Sequence, residues 1–107
     1  MTSKERALIE RLLEEPFPGR DELRAQLAGA EVRELDQEGS LNFRTHSGPT
    51  ALVARSVPIN GTYLDEDGIP IEILIHVWDG QLAELEIYKA DGTDIQKAPN
   101  PAEIEVF

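Results

Sequence analysis

Cysteine is absent from this chain, which excludes a disulfide framework, a thiolate zinc site and a cysteine nucleophile, and fits a reducing compartment. Aromatic residues are scarce, with one Trp, two Tyr and three Phe, so aliphatic side chains must build the core. Long apolar runs are also missing. The longest, such as Ile73 to Ile75, fall far short of the roughly 20 residues a membrane span needs. The start, "MTSKERALIERLLEE", is charged throughout and does not read as a signal peptide, so a soluble cytoplasmic protein is expected. Positive charge is short too: 10 Lys and Arg against 21 Asp and Glu leave a net charge of -11. Such a surface argues for no nucleic acid and no membrane partner, because both are held through Lys and Arg. It suits a basic protein partner or a cation, or simply solubility.

What is present is clear patterning. At 107 residues the chain reads as a single α+β domain over 1–107, long enough to bury a core without a disulfide or metal. Thr2 and Glu5 have capping-box spacing, and Leu8, Ile9, Leu12 and Leu13 then form one helical stripe. Pro16 and Pro18 stop that helix. Asp21 and Glu22 favour a second start, with Leu23 and Leu27 one turn apart and Gly29 as a stop. A helical hairpin is expected over 1–29. An antiparallel sheet should follow over 32–97, and 98–107 should form a C-terminal tail or edge strand around Ile104 and Val106. Within the sheet region, Thr50 to Val57 is β-prone, Asn60-Gly61 reads as a turn, and Ser47 to Pro49 breaks the chain. Strands are expected around Ile69 to Val77, Gln81 to Lys89 and Thr93 to Lys97. The whole is two N-terminal helices packed on one face of an antiparallel five- or six-stranded β-meander.

Three Asp-Gly pairs recur at a spacing of 12: Asp67-Gly68, Asp79-Gly80 and Asp91-Gly92. Asp65 to Gly68 looks slightly like the start of a calcium loop, but lacks a third ligand before the glycine and a later bidentate Glu, so turns are expected. Strand parity then sets the register. Pairing Trp78 with Gln81 throughout would bury carboxylates beside Ile73 and Ile75. A three-residue loop, Trp78-Asp79-Gly80, pairs Val77 with Gln81 and gathers Ile73, Ile75, Ala83, Leu85 and Ile87 on one core face. The same count pairs Leu35 with Leu41 across Gln37-Glu38-Gly39, and sets Ile95 beside Ile87's face.

That register places Glu72 across from Glu86, Leu74 from Glu84 and His76 from Leu82 on the opposite face, with Glu72 near Thr62 and Tyr88 near Asp94. Glu72, His76, Trp78, Glu84, Glu86 and Tyr88 therefore form the candidate partner-binding face. Three other uses are open: a merely solvated polar face, a divalent-metal or acid/base site around His76, Glu84 and Glu86, and a self-associating structural domain. No catalytic residue set, no cofactor and no dedicated metal site is expected, since no glycine-rich phosphate loop or nucleophile constellation is present. His46, beside Ser47, sits on a loop and makes no triad. Arg33, Arg44 and Arg55 are expected in strands beside carboxylates.

"LLEEPFPGRDELRAQL", the "DQEGSL" turn and "ILIHVWDGQLAELEIYKADGTDI" resemble a family of small bacterial proteins of unknown function, from about Leu12 to Pro101. The resemblance implies an intact domain and no particular activity. Small acidic α+β proteins of this size also include immunity partners of toxins, and analogy with them suggests an immunity-like role. The expected function is a non-enzymatic protein-binding module, monomeric or a weak homodimer.

Overall fold

The computed structural model describes residues 1–46 and 48–107; Ser47 lies outside the described residues, and with it part of the expected chain break at 47–49. Helix α1 spans Ser3–Leu12. Its start is the expected capping box: the Glu5 amide donates to Thr2 Oγ1 at 3.1 Å, and the Thr2 amide donates to Glu5 Oε1 at 2.7 Å. At its other end the Arg20 guanidinium donates to the carbonyls of Leu13 and Glu14, which the helix itself leaves unpaired. Helix α2 follows as Arg20–Leu27.

Six strands form one antiparallel sheet: β1 (Glu31–Glu34), β2 (Leu41–Arg44), β3 (Ile59–Leu64), β4 (Pro70–Trp78), β5 (Gln81–Lys89) and β6 (Glu105–Val106). Their spatial order is β1-β2-β5-β4-β3-β6. Only β3-β4-β5 is a meander. The β1-β2 hairpin adds beside β5, and the C-terminal residues close the other side as the edge strand β6.

Both helices lie on one face of the sheet, α1 over β3 and α2 over β5. Leu8, Ile9, Leu12, Leu13, Leu23 and Leu27 pack there against Ile71, Ile73, Ile75, Leu85 and Ile87. Each such side chain, fully buried, contributes about 1.5–3 kcal/mol of apolar transfer free energy. The α+β architecture is as expected, and so is the core face except at two residues of β5: Leu82, expected opposite His76 on the other face, is buried in the core, and Ala83, expected in the core, is not part of it.

The register is not. Asp79 and Gly80 both have positive φ, 49° and 74°, so they make a two-residue turn whose twist matches the strands. Trp78 pairs with Gln81 and Val77 with Leu82, but His76 pairs with Glu84, leaving Ala83 as an extra, bulged residue. The bulge restores parity, setting Ile75 beside Leu85 and Ile73 beside Ile87. The expected three-residue loop occurs elsewhere, at Glu66-Asp67-Gly68, where Asp65 and Ile69 close the pair and Gly68 takes φ 81°. Around Gln37 to Gly39, Leu41 pairs with Glu34 and not with Leu35, because Asp36 Oδ1 accepts from three successive amides, Glu38 to Ser40, and lengthens the loop.

Three local expectations give way to tertiary context. Thr50 to Val57 forms no strand: both sides of β5 and β4 are already paired, so this segment instead straps across their turn. Ala51 N–H donates to Gly80 O, and Val77 N–H donates to Ser56 O. Thr93 to Lys97 forms no strand either, since the Gln96 and Lys97 amides donate to the Asp65 carboxylate. Ile95 nonetheless packs against the core. Asn60-Gly61 lies inside β3 and makes no turn. There a Cβ on Gly61 would sit 2.7 Å from Ile104 Cγ2 and 2.8 Å from Leu12 Cδ2, so this glycine lets α1 and the C-terminal segment close on the sheet.

The sign of one substitution tests that packing. With free space, Gly61→Ala would stabilise a strand by about 0.5–1 kcal/mol through the unfolded chain. With the crowding described, it should destabilise by about 1–3 kcal/mol in urea unfolding. A raised midpoint would remove the close-approach explanation.

Candidate functional site

The sheet face turned away from the helices carries rows of paired side chains. One row runs Arg33, Asn42, Glu84, His76 across β1, β2, β5 and β4. A second runs Glu105, Thr62, Glu72, Tyr88, and a third joins Asn60, Leu74 and Glu86. The six residues picked out from sequence all lie on this face, as strand alternation requires. Their partners differ from expectation because of the Ala83 bulge. Glu72 faces Tyr88 and not Glu86, Glu86 faces Leu74, and Glu84 faces His76. Glu72 does neighbour Thr62, whose hydroxyl donates to its carboxylate at 3.4 Å. Tyr88 has no strand partner around Asp94.

The bulge therefore replaces a direct glutamate–glutamate opposition with a His76–Glu84–Glu86 cluster. One ligand atom of each lies within 4.8 Å of the others, and His76 Nε2 is 2.8 Å from Glu86 Oε1. Among the described residues no lysine or arginine comes within ion-pair distance of Glu72, Glu84 or Glu86. Arg33 and Arg44 lie on β1 and β2 as expected, but Arg55 falls in the strap and not in a strand. His46 sits 3.2 Å from a Glu31 carboxylate oxygen on the periphery. Among the described residues no helix lies over this face. Trp78 is 73% exposed beside the Asp79-Gly80 turn, while Tyr88 and Leu64, at 42% and 62%, stand towards the opposite end. The surface grooves between α1 and α2 and beside β6 are lined by other residues, such as Arg6, Glu10 and Arg24, or Tyr63 and Glu103.

The most constrained polar groups lie at the ends of the sheet, and sequence reasoning did not identify them. Lys89 ends β5 at a core-facing position, and its ammonium reaches Asp65 at 2.9 Å and Asp67 at 2.6 Å. The side chains of Lys89 and Asp65 are almost fully shielded from solvent. Burial pushes the Asp65 carboxyl up, but hydrogen bonds from the Gln96 amide, the Lys89 ammonium and the Glu66 and Lys97 amides outweigh it and hold the carboxyl at about 2. The Asp67 hydrogen bond, opposed by burial and assisted by Asp65, raises Lys89 above its ordinary value. Burial, with the Asp65 charge behind it, pushes Tyr63 up to about 12, and its hydroxyl donates to Lys97 O at 2.6 Å. The acidic Asp65–Gly68 stretch thus meets an internal ammonium. A signal was available: Lys89 continues the parity of Leu85 and Ile87, so a lysine falls where the core face runs.

At the other end Gln26, buried on α2, donates to the carbonyls of Pro49 and Gly80, both at 2.8 Å, and accepts from the Leu82 amide at 2.9 Å. Ser40 Oγ accepts from Ile87 N–H and donates to Ile87 O, extending the β2–β5 ladder by a side chain. Nothing in the local sequence marks these two.

Fold and face together define a two-layer α+β domain, with helices on one side of the sheet and an uncovered acidic face on the other. The chain belongs to the family described as "Domain of unknown function (DUF6984)", whose model matches residues 1–99. No curated protein and no solved structure matches it. No helix among the described residues is long and apolar enough to cross a membrane.

The Asp65 carboxyl yields a pH-dependent expectation. Its folded value of about 2 lies below the ordinary 3.8, so its stabilising contribution is complete above the unfolded value and is lost as pH falls through the folded one. Asp65→Asn should lower Tm by about 10 °C at neutral pH, and the gap to wild type should close between about pH 4 and about pH 2. Thermal melts across that range measure it. A gap independent of pH would mean that the carboxylate's charge is not what ties this end of the sheet.

Proposed function

We propose that this domain is a non-enzymatic protein-binding module that takes a basic segment of a partner protein on its open sheet face. The observation that carries the reading is an uncovered face on which the chain's one tryptophan, Trp78, is 73% exposed while the opposite face is dry. Large aromatic side chains left in water are the usual anchors of recognition surfaces. Glu84 and Glu86 lie between Trp78 at one end and the Glu72–Tyr88 pair, with Leu64 beyond it, towards the other. A segment with Lys or Arg between two apolar contacts complements that order. Unmatched carboxylates would also reject acidic competitors and speed encounter with basic ones. Neutralising a basic toxin, in the manner of immunity proteins, is one use such a face would serve.

Affinity capture with charge-reversed baits tests the reading. A partner held by wild type at low salt should be lost with Glu72→Lys or Glu86→Lys, weakened at least tenfold by Trp78→Ala, and retained by Glu10→Lys on the exposed side of α1. Retention by the Glu86→Lys bait, or loss with Glu10→Lys as well, would refute a specific role for this face.

A further inference from the structure

Beyond that reading, and independent of any partner, we infer that His76, Glu84 and Glu86 form a zinc-binding site on the open sheet face. The geometry is nearly assembled. Ligands around a tetrahedral zinc at about 2.0–2.1 Å stand roughly 3.3 Å from one another. Here the ligand atoms already lie within 4.8 Å, and one His76–Glu86 pair is at 2.8 Å. The remainder falls to side-chain torsions, since all three residues sit on two paired strands. His76 and Glu84 are direct cross-strand partners in the middle of the sheet, and Glu86 follows Glu84 on the same face of the same strand.

The bulge that restores core parity also assembles the cluster. Continuing the register of Trp78–Gln81 and Val77–Leu82 would pair Glu84 with Ile75 and turn it to the core. The extra residue Ala83 brings Glu84 opposite His76 instead. Bulges interrupt the ladder, and they recur where a side chain has to be re-aimed at a site. The surroundings suit a cation as well. Neutral Asn42 and Leu74 are the direct strand neighbours of Glu84 and Glu86, Arg33 stands one strand further out beyond Asn42, and no lysine or arginine among the described residues pairs with these glutamates. Two carboxylates two residues apart repel each other, and a dication bound between them converts that repulsion into attraction.

The donor set selects the metal. One imidazole nitrogen with two carboxylate oxygens is a ligand set for zinc. It provides too few oxygens for calcium, and magnesium prefers oxygen and retained water. Three protein ligands leave a fourth position open at the sheet surface, where water or a donor from a docked molecule can bind.

Calorimetric titration of the untagged full chain with zinc chloride, alongside magnesium and calcium chloride, tests the site. The His76 imidazole resonances provide a second readout. The expected result is one saturable zinc per chain, a shift of the His76 but not the His46 signals, and no saturable magnesium or calcium binding. His76→Gln and Glu84→Gln should each weaken zinc at least tenfold, and His46→Gln should leave it unchanged. These positions are half-exposed or peripheral, and circular dichroism checks that each variant is folded. Absence of saturable zinc binding, full affinity in His76→Gln, or loss in His46→Gln would overturn the proposal. Because the titration contains no partner, failure here leaves the capture experiment to decide the binding-module reading separately.

Discussion

The β4–β5 hairpin sets the geometry on which everything else depends. Its two-residue turn is required by twist, yet carried through the strands it would put Glu84 and Glu86 against the isoleucines of the core. One extra residue, Ala83, reverses that parity and leaves Ile71, Ile73, Ile75, Leu85 and Ile87 on the dry side. The same residue delivers Glu84 to His76 on the wet side. Core and candidate site are therefore two consequences of one bulge. A change that removed it would have to choose between a buried carboxylate and a shifted strand, and both cost far more than the lost ladder bond.

The hairpin is held at both ends by buried polar groups whose hydrogen bonds are satisfied. At the turn, Gln26 occupies two carbonyls and one amide with a single amide side chain, joining α2, the strap and β5. A Cβ at Gly80 would lie 2.2 Å from Thr50 Cγ2, so the strap can sit this close only over glycine. At the far end Asp65 and Lys89 bind the β3–β4 loop to the end of β5, and Asp65 also gathers the amides of Gln96 and Lys97. The segment directly after β5, through Lys97, is consequently organised by a carboxylate, and the ladder resumes only at β6. Among the described residues, no buried side-chain nitrogen or oxygen lacks a partner. Such groups add little net stability over apolar replacements, but they penalise any register that leaves them unpaired.

This division explains what the sequence could and could not convey. Helices, capping box, core face and the approximate limits of β4 and β5 follow from short-range periodicity and were legible. So was most of the open face, from alternation along β4 and along β5 beyond the bulge, but not Leu82, which the bulge at Ala83 turns to the core. The partners on that face were not legible. They depend on whether an extra residue sits in the turn or two residues beyond it, and both solutions satisfy the same parity rule for the core. Thr50 to Val57 and Thr93 to Lys97 have strand composition but no strand, since their amides are committed to a turn carbonyl and to Asp65. Asn60-Gly61 has the composition of a turn, yet its glycine is there to admit Leu12 and Ile104. In each case a long-range contact overrides a local preference.

The two ties also bear on what the open face can do. With both ends of β4 and β5 fixed by buried hydrogen bonds and the core packed beneath, the backbone carrying His76, Glu84 and Glu86 has little freedom to reshape around a ligand. Rigid placement favours recognition whose geometry already exists, because little ordering entropy remains to be lost on binding. Trp78 lies just before the turn tied by Gln26, and Tyr88 lies just before the tied Lys89. The two aromatic anchors thus stand where the sheet is held most firmly, with the carboxylates between them. A surface with rigid aromatic ends and a charged middle discriminates by length and charge together. On the proposed reading, a basic segment would have to match the span along the strands and bring its positive charge to the centre.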